Sequence, residues 1–429
     1  MKKSLAALFL ALIMIFSFFT VSAGMVNIPA DYELNCKNAV VLNTNTGRTV
    51  FEKNADEVVP IASLTKIMTA LVVIDNVTDM EALVETKLSA LLAIGNTGLV
   101  TINLQSGELM SVKDMLYCLL IHSAADASVV LADYVGGSVD AFVEMMNKKA
   151  KELGMNNTHF VNTHGLDAEG HYSTARDMAI LASYALKNEL FCDIVSRNSY
   201  TTSPTNKSGS RTVSTTNYLL TYNSGFYYEK ADGIKTGYTG DAGRCLVSTA
   251  VDGKTRYVCV VLGCDAYNTN GTMACKHFSD SIYLFEKCFG SYSLKKAVKK
   301  DADCVKVPVK CFGIDTEVQG VYKDNFTYLL KKGEKVETKV SLDSELIKKP
   351  VMAGEKLGTC DIVLDGKTLK TVDIVAKDDI TRDYTKITVT VLVVALIVLL
   401  AAAAVVAIIA MVGRKPKKGN KMKRNVKYK

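Results

Sequence analysis

Residues 39–59, "AVVLNTNTGRTVFEKNADEVV", alternate apolar and polar positions on either side of Asn45 to Gly47, which predicts a strand hairpin. From Ile61 to about Leu186 the apolar spacing widens to the rhythm of helices, clearest in "SVKDMLYCLLIHS" and "DAFVEMMNKKAKELG". A polar stretch rich in Ser and Thr covers 193–217. Beyond it, "CLVSTAVDGKTRYVCVVLGC" reads as two strands around an Asp252-Gly253 turn. Strands from both ends of a domain with helices inserted between them fit an α/β (α+β) fold, a central antiparallel sheet with a helical subdomain, ending near Phe289. From Ala302 to Val375 short β segments, among them "CVKVPVKCF", "FTYLLKKG", "ETKVSL" and "TCDIVLDGKTLKTVDIV", predict a small all-β domain.

The two ends follow other rules. Lys2 and Lys3, an apolar run from Leu5 and the small residues Val21-Ser22-Ala23 form a secretory signal pattern, with removal expected after Ala23. Ile387 to Val412 contains no charge and as a helix measures about 39 Å, enough to cross a hydrocarbon core of about 30 Å with some tilt. The tail behind it carries nine Lys and Arg and no acidic residue. After a membrane span such a tail is expected in the cytoplasm. The expected organisation is 1–23 signal peptide, 24–290 first domain, 291–380 small β-sandwich domain, 387–412 transmembrane helix and 413–429 basic tail, with both domains on the outer side of the cytoplasmic membrane.

Composition then removes several functions. With 48% hydrophobic and 22% charged residues in 429, the chain has enough apolar material for two ordinary cores and is not a disordered protein. The net charge of +7 is misleading, because taking away the nine tail cations and Lys2 and Lys3 leaves −4. Nucleic acid is not an expected partner. Eleven cysteines at irregular spacing include no CxxC. Export permits a disulfide, and Cys259 with Cys264 or Cys304 with Cys311 are open possibilities. His122, His159, His164, His171 and His277 are scattered and lack HExxH spacing, so neither a metal nor a cofactor is expected.

The candidate chemistry lies in "PIASLTKIMTALVV", 60–73, where one lysine interrupts an apolar helical run. If the helix begins near Ala62, Ser63 lies in its first turn and Lys66 three residues on, on the same face. Burial lowers a lysine's pKa, and a neutral amine beside a hydroxyl is a general base beside a nucleophile. Ser-x-x-Lys alone is weak, since it recurs at Ser293/Lys296 inside a Lys-rich run. Only the first copy has company: Ser123 in "IHSAADAS", and the chain's single Lys-Thr-Gly at 235–237 in "ADGIKTGYTGDAG".

With "THFVNTHGLDAEGHYSTARDMA" added, these segments resemble the D-alanyl-D-alanine carboxypeptidases, the low-molecular-mass penicillin-binding proteins of serine peptidase family S11, over roughly 36–380. The resemblance implies a β-lactamase/transpeptidase-like fold, peptidoglycan stem peptides as substrate, and β-lactam antibiotics as covalent inhibitors. Carried over by position, it implies that Ser63 is acylated, Lys66 takes its proton and Ser123 passes a proton to the leaving D-alanine amine. Lys235 would hold the terminal carboxylate, Thr236 would add a hydrogen bond, and Gly237 would let the strand come close. The N–H groups of Ser63 and Tyr238 would form the oxyanion hole.

One position departs from the family pattern. Its second motif is usually Ser-x-Asn, and here Ala125 stands third, followed by an Asp126 expected to be structural. That departure supports an alternative, a catalytically degenerate peptidoglycan-binding scaffold. A β-lactamase is a further alternative, resting on Glu152, which reads more simply as a helix-end residue.

Overall fold

The computed structural model describes residues 33–95, 97–311, 314–382 and 384–413. The expected signal peptide, and the basic tail from residue 414 on, lie outside the described residues. The described residues divide into two units, 33–295 with 328–334, and 296–327 with 335–413.

In the first unit the predicted hairpin is β1 (Asn38–Asn43) and β2 (Thr49–Lys53). Helices α1 (Thr65–Asn76), α2 (Leu88–Leu92), α3 (Val112–Tyr117), α4 (Ala125–Gly136), α5 (Val139–Glu152), α6 (Ala175–Ala185) and α7 (Glu189–Val195) follow. Two short strand pairs accompany them, β3 (Leu83–Glu85) with β4 (Leu109–Ser111), which bracket α2, and β5 (Ser199–Thr201) with β6 (Thr212–Ser214), which follow α7. Then come β7 (Ala231–Thr239), β8 (Gly243–Asp252), β9 (Thr255–Cys264) and α8 (Lys276–Ser291). The main sheet is fully antiparallel in the order β2-β1-β9-β8-β7. The first strand of the domain therefore pairs with its last, and β7 is left at an edge.

Period-two alternation sorts the strand side chains onto two cores. Val40 and Leu42 of β1, with Val258, Val260 and Leu262 of β9, join the cluster that includes buried residues of α1, α4, α5 and α6. Their sequence neighbours Ala39, Val41, Cys259 and Val261 face Phe278, Leu284, Phe285 and Cys288 of α8. Covering both faces makes β1 buried at all six positions. At about 1.5–3 kcal/mol per fully buried Val or Leu, this double layer stabilises the sheet beneath the site.

The second unit carries β10 (Tyr292–Val298) from residue 296 on, β11 (Asp303–Cys311), β12 (Ile314–Tyr322), β14 (Glu337–Leu342), β15 (Lys356–Leu364), β16 (Lys367–Ala376) and α9 (Tyr384–Val412). Its main sheet runs β11-β12-β16-β15-β14 around a core of Val307, Val318, Ile362 and Ile374. Strand β12 was not legible in the sequence, because "IDTEVQGVY" buries only part of one face. Segment 328–334, from β13 (Phe326–Lys331), belongs instead to the first unit. There Arg48, fully buried, donates to Glu334 at 2.6 and 2.8 Å and to the Leu329 carbonyl at 2.7 Å. Helix α9, whose most apolar 18-residue stretch has mean hydropathy 3.4 and is exposed throughout, measures about 43 Å and fits a membrane anchor.

The eleven cysteines are all free thiols. Both disulfides left open by the sequence are excluded by strand geometry. Cys259 and Cys264 lie along β9 and Cys304 and Cys311 along β11, which at about 3.3 Å per residue separates each pair by roughly 16 Å or more, beyond the reach of a disulfide. The thiol that does meet Cys264 is Cys36.

Candidate active site

Ser63 sits in a single 3-10 turn, Ala62–Leu64, that leads into α1, so the helix begins where the sequence predicts. The residue before it, Ala62, has φ +49, a left-handed conformation that a non-glycine residue holds only when its surroundings impose it. Two glycines do so. A Cβ on Gly165 would lie 1.9 Å from the Ala62 carbonyl oxygen, and one on Gly237 would lie 3.1 Å from both the Ser63 nitrogen and the Ile61 oxygen.

Lys66, one turn on, is 1% exposed. Its Nζ donates to Ser63 Oγ at 3.0 Å and to the His164 carbonyl at 2.7 Å. Burial pushes its pKa well below the ordinary lysine value, the charge of Lys235 pushes it further, and the Asp126 carboxylate opposes both. The arrangement therefore holds an amine poised to be neutral against a hydroxyl.

Ser123 closes a π-helical turn, Cys118–His122, that packs against α1 and β7. It too is left-handed, φ +71, and it is 9% exposed. Ala125, the departure from Ser-x-Asn, opens α4 with its methyl group fully buried and its N–H donated to the Val100 carbonyl. Asp126 accepts from the backbone N–H groups of Ile102 and Leu104 at 3.0 Å. That carboxylate is engaged in holding the 102–104 segment.

Lys235, Thr236, Gly237 and Tyr238 run along edge strand β7, whose backbone packs on the Ser63 turn. Lys235 is 1% exposed, donates to the Thr236 carbonyl at 3.0 Å, and burial brings its pKa down to about 7. Thr236 Oγ1 lies 2.5 Å from Thr216 Oγ1. Tyr238 is exposed, with the Arg244 guanidinium 5.0 Å from its ring centroid across the β7–β8 pairing.

Residues 25–266 match the family described as D-alanyl-D-alanine carboxypeptidase, and 292–382 match the C-terminal domain of penicillin-binding protein 5. The chain belongs to the D-alanyl-D-alanine carboxypeptidase family, peptidase S11. The D-alanyl-D-alanine carboxypeptidase DacF of Bacillus subtilis strain 168 is 34% identical over 347 residues, 80% of this chain and 85% of that one. DacA of Escherichia coli K12 is 31% identical over 367 residues, 82% of this chain and 85% of that one. The solved penicillin-binding protein 5 of Haemophilus influenzae superposes with TM-score 0.63 at 26% identity, covering 83% of this chain and all of that one.

Within the carboxypeptidase fold the decoys separate from the site. Ser293 and Lys296 lie on strand β10, where residues three apart point to opposite faces. Glu152 is the last residue of α5, half exposed and paired with Lys149 at 3.4 Å. Site neighbours that sequence reasoning missed are the His164 carbonyl, Thr216, Thr65 and Arg244. A backbone carbonyl leaves no signature in residue type, and Thr216 is hidden in a Ser/Thr-rich stretch. Arg244 becomes a neighbour of Tyr238 only through strand register.

Proposed function

We propose that this protein is a serine-type D-Ala-D-Ala carboxypeptidase that removes the terminal D-alanine from peptidoglycan pentapeptide stems. The observation that carries the reading is the buried Lys66 amine 3.0 Å from Ser63 Oγ. Ser63 Oγ attacks the carbonyl of the penultimate D-alanine while Lys66 takes its proton. The N–H groups of Ser63 and Tyr238 receive the charge that develops on the carbonyl oxygen. Ser123 delivers a proton to the departing D-alanine amine, and water then releases the acyl group from Ser63. A β-lactam acylates the same oxygen, but its ring amine stays tethered, which slows that release. Lys235 and Thr236 take the substrate carboxylate, and Gly237 keeps the strand backbone close to it. Release of D-alanine from a D-Ala-D-Ala peptide, together with mapping of the residue labelled by penicillin, tests the assignment.

In this reading residues 24–290 form the exported catalytic domain and 291–380 a small β domain. The 387–412 helix anchors the chain in the cytoplasmic membrane, and the basic tail of 413–429 stays in the cytoplasm.

The second reading, a scaffold that has lost catalysis, rests on Ala125. Its methyl group cannot make the hydrogen bonds of an amide, and an unpaired buried partner costs about 1–3 kcal/mol, or roughly 5- to 150-fold in rate. Ala125→Asn is expected to raise D-alanine release by a factor in that range, with thermal unfolding checked alongside. A wild type that releases no D-alanine but is rescued by Asn supports the scaffold. No change in either assay removes Ala125 from the account. A penicilloyl adduct lasting seconds rather than many minutes favours a β-lactamase.

The pH profile reports on Lys235. With a pKa of about 7, its ammonium is present below that value and lost as pH rises through it. Accordingly kcat/KM, which reports the free enzyme, is expected to fall on the alkaline side with an apparent pKa near 7. Lys235→Arg, charged throughout, removes that limb even if its overall rate is lower. A limb unchanged in that variant assigns the ionisation elsewhere.

A further inference from the structure

The Ala62–Ser63 peptide is held by a hydrogen-bond chain that nothing in the proposed reaction uses. The Val161 N–H donates to His171 Nδ1 at 3.1 Å, and His171 Nε2 lies 2.8 Å from Thr65 Oγ1. Thr65 Oγ1 in turn donates to the Ala62 carbonyl at 2.9 Å. The first bond makes Nδ1 an acceptor, so the ring hydrogen sits on Nε2 and every donor in the chain points toward Ala62. His171 and Thr65 are buried, and the Phe160 ring meets the imidazole edge-on at 5.8 Å. Burial also lowers the His171 pKa to about 4, which keeps the ring neutral and the tautomer fixed at working pH.

The target of this chain is what gives it a role. A trans peptide is planar, with its C=O and N–H on opposite sides. Anchoring the Ala62 oxygen from the Gly165 side therefore turns the Ser63 N–H the other way, toward the β7 backbone at Gly237. We propose that His171 is a positioning residue: acting through Thr65, it sets the Ala62–Ser63 peptide so that the Ser63 N–H points into the oxyanion hole. The inference rests on the carboxypeptidase reading. It adds a device that neither the Ser-x-x-Lys pattern nor the position of Lys66 requires. Neither side chain touches the substrate, and both act through the one peptide whose N–H receives the oxyanion.

The test compares Thr65→Val, Thr65→Ser, His171→Leu and His171→Gln in the full chain. It measures acylation by labelled penicillin, kcat and KM for a D-Ala-D-Ala peptide, and affinity for a peptidyl boronic acid whose tetrahedral oxygen occupies the hole. Losing an oxyanion donor outright costs about 100- to 1,000-fold. A misaimed donor is expected to cost at least about tenfold within that ceiling. Thr65→Val and His171→Leu are expected to lower kcat and boronate affinity by the same factor, with KM within about twofold. Thr65→Ser keeps the hydroxyl, and His171→Gln supplies both an acceptor for Val161 and a donor for Thr65, so both should restore most of the rate. If His171→Leu fails to fold, Thr65→Val decides alone, since it removes only a hydroxyl at nearly constant shape. Folded Thr65→Val with wild-type acylation, or with reduced kcat and unchanged boronate affinity, overturns this inference and leaves the carboxypeptidase reading standing. A wild type silent in both assays overturns that reading and this one together.

Discussion

Penicillin is expected to leave no covalent adduct on Ser63→Ala, and D-alanine release is expected to fall by an amount on the order of 10⁶-fold, the scale seen when a serine nucleophile is deleted. The size of the effect follows from the absence of an understudy. Ser293, in the other Ser-x-x-Lys, is on a strand with its lysine on the opposite face. Ser123 has its own left-handed turn, and the hydroxyl hydrogen-bonded to the Lys66 amine is that of Ser63. The substitution removes one oxygen at a partly exposed position and leaves Lys66 bonded to the His164 carbonyl, so the fold should survive with little change in Tm. Mass mapping after labelling decides the matter. An adduct retained on the variant, or found on Ser123 in the wild type, moves the nucleophile elsewhere.

Lys66 provides the second large effect, and here the conservative change is the informative one. A base must give up its charge, and arginine does not do so in a protein, so Lys66→Arg is expected to be as poor as a deletion. Removing a general base costs typically 10²- to 10⁴-fold, and acylation by labelled penicillin should slow by that much. A guanidinium in this buried site can also disturb the fold, so Lys66→Met is the companion variant. It fills much of the same volume without the amine, and leaving the His164 carbonyl without its 2.7 Å donor costs about 1–3 kcal/mol. The expected result is a folded protein with a modestly lower Tm and acylation down by the same 10²- to 10⁴-fold. Folded Lys66→Met that acylates within about tenfold of wild type ends the assignment of Lys66 as base.

Much of this site could be read along the chain because its pieces are local. Lys235 to Tyr238, consecutive on a strand, take their roles from the family resemblance, whereas Ser63 and Lys66 are one helical turn apart, so residue type and spacing suffice to propose them. The same holds for β1 and β2, for β8 and β9 around Gly253, and for the apolar helix near the C-terminus, each announced by a short-range pattern. Segments whose burial is only partial, such as β12, carry a weaker alternation and were missed.

What depended on tertiary structure is whatever joins distant parts of the chain. The depressed pKa of Lys66 comes from complete burial and from Lys235, 169 positions away. Its second hydrogen bond is to a carbonyl at residue 164, which no side-chain pattern encodes. Cys36 meets Cys264 only because β1 lies beside β9, whereas the cysteine pairs close in sequence are spread along single strands. Local sequence determined which groups stand one turn or one strand apart. The packing of β7, α1 and the 160–171 segment decided their protonation, their backbone strain and the direction of the Ser63 N–H, because desolvation and long-range hydrogen bonds exist only once those segments are in contact.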